Sequence, residues 1–201
     1  MTELYLFRHG ETDWNRAHRF QGHTDVSLNE TGRQQAVTLQ PLVAQYGIQL
    51  ILSSDLGRAK ETAIIAKADM PIEIQLTPQL RECHLGDAEG LHRERVIELF
   101  GQDGLERFFS IHPTDIDFGF PNGETKRQHL RRLLNCIEPI CRSNPTVNRI
   151  GISSHGGSLV RLIGNAVNLA LDKVYVPNCS MFKMTFDHAS GEWHHHGQIL
   201  K

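Results

Sequence analysis

Cysteine and long apolar runs are both scarce in this chain, and each shortage removes a class of protein. Four cysteines among 201 residues, Cys83, Cys136, Cys141 and Cys179, form no Cys-x-x-Cys pair and are too sparse for a disulfide framework, so reduced thiols are expected. No apolar stretch approaches the roughly 20 residues that cross a bilayer, and the first residues lack a basic segment followed by an apolar one and a small-residue cleavage site. A cytoplasmic protein with no membrane partner is the expectation. The two Asn-x-Ser/Thr triplets at Asn29 and Asn178 then carry no meaning as glycan acceptors. Neither sign of charge dominates. Lys and Arg number 21 against 23 Asp and Glu, a formal net charge of -2, which excludes a general cationic field for nucleic acid. Any anion site must be local.

There is also no internal repeat and no low-complexity linker. With 39% hydrophobic residues the chain can bury a full core without staples, and one domain over residues 1–201 is the simplest organisation. Glycine and proline divide it into apolar runs alternating with helical patterns, which is the α/β arrangement. Strands are read at Leu4–Phe7, Gln49–Ser53, Ile72–Leu76, Arg149–Ser153, Met181–Phe186 and Trp193–Ile199. Asn29 reads as the cap of a helix bearing Ala36, Leu39, Leu42 and Val43, which Pro41 should kink or shorten. A further helix opens after Ser54. The clearest helix carries Leu130, Leu133, Leu134, Ile137, Ile140 and Cys141 on one face, with Pro139 disturbing its last turns. Two short amphipathic patterns between Leu91 and Phe120 read as a helical excursion over the site.

The most informative stretch is Leu4-Tyr5-Leu6-Phe7-Arg8-His9-Gly10, a buried strand that ends in a cation, an imidazole and a glycine. Arg8 offers a planar fork for phosphate or carboxylate oxygens, and His9 can serve as nucleophile or base near neutral pH. His155-Gly156-Gly157 repeats the pattern at the exit of the fourth strand. Arg58 falls in a first helical turn, where free N–H groups already favour an anion, and Glu82 follows Leu80-Arg81 near another strand exit. Ligands in open α/β sheets bind beyond the carboxyl ends of the strands, where these residues can converge. Two arginines and a second histidine could then hold phosphoryl oxygens, with one carboxylate for proton transfer. Trp193-His194-His195-His196 suggests a metal cluster, but alternation along a strand puts only His194 and His196 on one face, and a solvated or substrate-edge strand is the better reading. His84, beside Glu82, is read equally well as a surface turn residue or a substrate contact.

Arg8, His9, Arg58, Glu82 and His155, in that order and local context, resemble the signature of the histidine phosphatase superfamily. Asn15, Gln21 and Gly22 match positions lining that family's pocket, and Gly123-Glu124-Thr125 matches a Gly-Glu-Ser/Thr element. The resemblance implies a three-layer α/β/α sandwich with a mixed, mostly parallel sheet. It also implies a phosphohistidine at His9, a phosphate pocket from Arg8, Arg58 and His155, and Glu82 as the acid and base. Phosphomonoester hydrolysis is favoured over mutase chemistry, because the region after Glu82 is short and lacks the arginine- and proline-rich insertion of glycolytic mutases. A catalytically idle phosphate-binding protein is the alternative of a different class. No metal or cofactor is called for, the expected partner is a small phosphorylated metabolite, and a homodimer is compatible with the reading. Three departures stand out. Ala88 replaces a bulky residue, which would remove a wall of the substrate cleft. Ser27 replaces a common proline, and Arg161 stands one place later than the family's arginine.

Overall fold

A computed structural model describes residues 1–143, 146–166 and 174–200. Its centre is a six-stranded sheet in the order β3-β2-β4-β1-β5-β6. The strands are β1 (Thr2–Arg8), β2 (Leu50–Ser54), β3 (Glu73–Thr77), β4 (Arg149–Ser154), β5 (Met181–Phe186) and β6 (Trp193–Leu200). β1 runs parallel to β4, and β2 parallel to both β3 and β4, while β5 is antiparallel to β1 and β6. The expected mixed, mostly parallel α/β sheet is thus the observed one.

Alternation along β1 builds the layers. Leu4 and Leu6 face a core completed by Leu133, Ile137, Leu159 and Leu162, which come from α6 (Lys126–Ser143) and α7 (Gly156–Ala166). Tyr5 and Phe7 face the other core, with Ala36, Leu39, Val43, Ala63 and Ala66. These belong to or flank α2 (Glu30–Val37), α3 (Gln40–Gln45) and α4 (Gly57–Lys67). A strand buried on both faces needs apolar residues at every position, and β1 supplies them. The three-layer sandwich follows.

Proline acts differently at its two helical sites. Pro41 sits in the first turn of α3, so the helix read as kinked is two helices, and the ring occupies a position whose N–H has no intrahelical partner. Pro139 lies inside α6 without ending it. A one-turn helix, α1 (Asp13–Arg16), escaped the sequence reading; Thr12 and Asn15 close it with a reciprocal capping box.

The excursion holds two short helical stretches, as the two amphipathic patterns imply, within α5 (Arg93–Phe109), separated at Gly101, whose φ 78° and ψ 160° are not helical. It carries a third core of Cys83, Leu85, Ala88, Val96, Leu105 and Phe120, with Phe20, Phe100, Phe108 and Phe118 packed against it. Ala88 is fully buried there. The small residue is thus part of a packed core that distant aromatic rings cover. Among the described residues no helix is long and apolar enough to cross a membrane.

Candidate active site

Neighbouring strands bring the site together. Arg8 is opposite Ser154 and Ser53 opposite Ser153 in the parallel register, so β1, β4 and β2 end at one edge of the sheet. The candidate residues follow: His9 directly after β1, His155 directly after β4, and Arg58 in the first turn of the helix after β2. His9 N–H donates to the Ser154 carbonyl at 3.0 Å, and the His9 ring is only 3% exposed. Its Nδ1 lies 2.7 Å from the Gly10 carbonyl. A carbonyl only accepts, so Nδ1 bears the hydrogen and the lone pair is left on Nε2. Burial first, then the Arg58 and Arg8 guanidiniums, hold the His9 pKa well below its usual value. The imidazole is therefore neutral.

Arg58 is fully buried in the first turn of α4. Its Nη1 donates to the Thr24 carbonyl and its Nη2 to the Gly22 carbonyl, each at 2.8 Å, while Nε donates to Nδ1 of His155 at 3.2 Å. Burial lowers its pKa to about 10, which leaves it protonated at neutral pH. With Nδ1 of His155 accepting, Nε2–H of that ring donates to Ser54 Oγ at 2.9 Å. Burial, then Arg58, then His9, keep His155 neutral as well. The two imidazoles meet edge to face with centroids 5.2 Å apart. Both ring nitrogens of His155 have protein partners, Arg58 and Ser54. In this arrangement it anchors Arg58.

Glu82 is held at the opening of α7. Gly157 N–H donates to one carboxylate oxygen at 2.8 Å and Cys83 N–H to the other at 2.9 Å. A Cβ at Gly157 would lie 2.5 Å from Glu82 Oε1, so glycine is required for the carboxylate to approach. Arg132 and His23 donate to the Glu82 carbonyl at 3.0 and 2.9 Å. Arg132 also spans both oxygens of Glu124 at 3.0 and 2.7 Å, so the matched Gly-Glu-Thr element buttresses the Glu82 backbone.

The other matched positions are drawn in unevenly. Asn15 Oδ1 accepts from Thr12 N–H, from Thr12 Oγ1 and from Asn178 Nδ2. Gln21 Oε1 lies 3.1 Å from Thr12 Oγ1 and shares that hydroxyl's single hydrogen with Asn15 Oδ1. Gly22, at φ +54° and with Glu89 where a Cβ would sit, contributes through the carbonyl it offers Arg58. Sequence reading missed the segment that clamps the strand tip from the far side. Val176 O accepts from Arg8 Nη1 at 2.8 Å, Asn178 Nδ2 donates to the His9 carbonyl at 3.0 Å, and Cys179 N–H donates to the Arg8 carbonyl at 3.2 Å. Among the described residues Arg8 Nε has no partner although it is buried. An orphaned guanidinium donor beside a neutral imidazole suits an incoming anion.

Other clusters suit a ligand less well. Cys83, Glu124 and His129 have atoms within 4.8 Å of one another, but Glu124 is committed to Arg132 and burial pushes the Cys83 thiol up, keeping it protonated. His194 and His196 are exposed on the edge strand β6, and His196 Nε2 is 2.9 Å from Thr185 Oγ1. His84 packs its ring 5.0 Å from that of His23.

The family model of the histidine phosphatase superfamily (branch 1) matches residues 4–198. A protein named probable phosphoglycerate mutase GpmB from Photorhabdus laumondii is 34% identical over 192 residues, covering 94% of this chain and 87% of that one. Its namesake from Serratia proteamaculans is 34% identical over 205 residues, covering 100% and 92%. Among solved structures, a mycobacterial glucosyl-3-phosphoglycerate phosphatase in complex with VO3 superposes with a TM-score of 0.87 at 26% identity, covering 100% of both chains. Bacillus stearothermophilus YhfR gives 0.84 at 29% identity, covering 98% of this chain and 96% of that one. With the fold, the ordered motifs and these matches in agreement, the chain belongs to the histidine phosphatase superfamily, branch 1.

Proposed function

We propose that the protein is a phosphomonoester hydrolase that works without a metal, through a phosphohistidine at His9. The observation that supports this most directly is the neutral His9 ring, its Nδ1 fixed by the Gly10 carbonyl and its Nε2 lone pair free beside two guanidiniums. Nε2 attacks phosphorus and forms an N–P bond as the P–O bond to the leaving alcohol breaks. The electron pair stays on the departing oxygen, and Glu82 supplies its proton. Arg8, with its unpaired Nε, and Arg58 stabilise the charge on the equatorial oxygens, the place a metal ion takes in other phosphotransferases. Asn15 and Gln21 border the same pocket, and Gly22 and His155 hold Arg58 at its post. Water then attacks the phosphohistidine, gives a proton to Glu82, and returns His9 neutral.

Hydrolysis is preferred to mutase chemistry because only short turns link Glu82 to α5, leaving no insertion to retain a bisphosphate intermediate. The relatives' names favour the mutase reading. Incubation with 3-phosphoglycerate and catalytic 2,3-bisphosphoglycerate separates the two, since a hydrolase releases inorganic phosphate and a mutase yields 2-phosphoglycerate. Turnover of p-nitrophenyl phosphate in excess chelator, inhibited by vanadate, is the expected result. Loss of that turnover on chelation, with recovery on adding zinc, would overturn the metal-free mechanism.

A further inference from the structure

Lys126 and Arg161 form a second cationic centre that the mechanism above does not use. Lys126, at the start of α6, is 2% exposed, and Arg161 is half-buried on α7. Lys126 Nζ donates to the Ser110 carbonyl at 2.7 Å, and both Nη atoms of Arg161 approach the same oxygen at 3.3 Å. Two cations thus share one neutral acceptor. Among the described residues neither forms an ion pair; the nearby Asp115 carboxylate is taken by Arg107 at 3.2 Å. Burial and the neighbouring Arg161 lower the Lys126 pKa to about 8. Arg132, by contrast, is matched by Glu124. Buried charges are normally paired, because the desolvation cost is otherwise uncompensated, and both Lys126 and Arg161 keep N–H donors to spare.

Their location gives this pair a use. Arg161 lies four residues beyond Gly157, so it is one turn further along the same face of α7. Gly157 N–H holds the Glu82 carboxylate at 2.8 Å, and Glu82 marks the side from which the alcohol departs. The Glu82 carboxylate is near enough for its charge to act on the Arg161 guanidinium, and a helical turn spans about 5.4 Å.

We propose that Lys126 and Arg161 are specificity residues that receive a second anionic group, a carboxylate or a second phosphate, carried on the leaving alcohol. The inference rests on the hydrolase reading for the location of the leaving group. It makes the preferred substrates small phosphomonoesters with two anionic ends.

The test measures binding without turnover, in a His9→Ala background, by calorimetry. Two matched ligand pairs isolate the second anion: 3-phosphoglycerate against glycerol 3-phosphate, and fructose 1,6-bisphosphate against fructose 6-phosphate. The background protein should bind the anionic member of at least one pair more tightly, and which pair responds identifies carboxylate or phosphate. Adding Lys126→Met or Arg161→Gln should reduce that preference about tenfold or more, with Arg161→Lys, which keeps the charge and guards against misfolding, falling between. No preference in either pair, or a preference that survives both substitutions, would overturn the proposal and leave the two cations as a latch on Ser110. p-Nitrophenyl phosphate turnover by the unmodified chain is read separately, so failure of the subsite and failure of the hydrolase reading give different results.

Discussion

The strand-end pocket and the aromatic cluster beside it are built by different rules. In the pocket, His9, Arg58 and His155 are held by backbone carbonyls, by a serine at the tip of β2 and by one another, and the sheet register places the strands that carry them. Around α5, Phe20, Phe100, Phe108, Phe118 and Phe120 are held by side-chain packing, with ring centroids 5.1 to 6.2 Å apart. The helix beneath them is broken at Gly101, and Leu99 and Phe109 remain exposed. Hydrogen bonds to a register fix directions, whereas packing fixes volume. The contrast teaches that the pocket is tied to the positions of the strands, whereas residues of the packed cluster can be exchanged without moving a strand.

Breaking the pocket should cost most. Arg58→Ala removes a buried cation and strands the Gly22 and Thr24 carbonyls, so kcat/KM for p-nitrophenyl phosphate should fall by roughly three to five orders of magnitude, the scale of a transition-state arginine. A loss under about tenfold would mean the positive charge lies elsewhere. Glu82→Gln should slow phosphorylation by alkyl phosphates by about two to four orders of magnitude, because an alkoxide needs its proton. p-Nitrophenolate leaves without one. Rapid-quench analysis with the aryl ester should therefore show a burst of nitrophenol followed by slow hydrolysis, and equal losses in the first step for both esters would make Glu82 a shaping residue.

The packed side should respond in stability. Phe120→Ala opens a cavity among four rings and should cost about 3–5 kcal/mol in urea unfolding, while turnover of the aryl ester below the melting temperature falls less than tenfold. A catalytic loss as large as that of Arg58→Ala would erase the distinction between the two regions. A smaller effect comes from pH. His9, His129 and His155 are all held well below the ordinary value of 6.5, chiefly by burial. Above that value they are neutral both folded and unfolded and contribute no slope. As pH falls below it, the unfolded chain takes up protons that the native state refuses, so stability should drop by up to about 1.4 kcal/mol per pH unit for each histidine. Urea midpoints at pH 7.5 and 5.5 check this; equal midpoints would place charged histidines in the native core.

Much of the pocket was legible because its residue types are rare at strand tips. Arg8-His9-Gly10 and His155-Gly156-Gly157 announce themselves by an apolar run stopping at a cation or imidazole, and Arg58 by its place in a first helical turn. The clamp at Val176, Asn178 and Cys179 was not legible, because two of its contacts are backbone groups that leave no sequence signature and its asparagine sits in a glycan-acceptor triplet. The engagement of His155 with Arg58 and Ser54 depends on tertiary distances that no spacing encodes. The core around Ala88 was not legible for a related reason, since the phenylalanines packed against it come from Phe20 and from Phe100 to Phe120. The six strands were placed to within a residue or two, whereas Pro41 and Gly101 marked breaks whose form only the backbone shows.

The proposed chemistry turns on one atom, Nε2 of His9. Quenching the enzyme during turnover of a 32P-labelled phosphomonoester and mapping the labelled peptide tests it directly. The predicted result is one phosphoryl group on His9, labile to acid and stable to base, formed at least as fast as turnover and absent from His9→Ala, which should also be inactive. Undiminished turnover by His9→Ala, or label on any other residue, would contradict it.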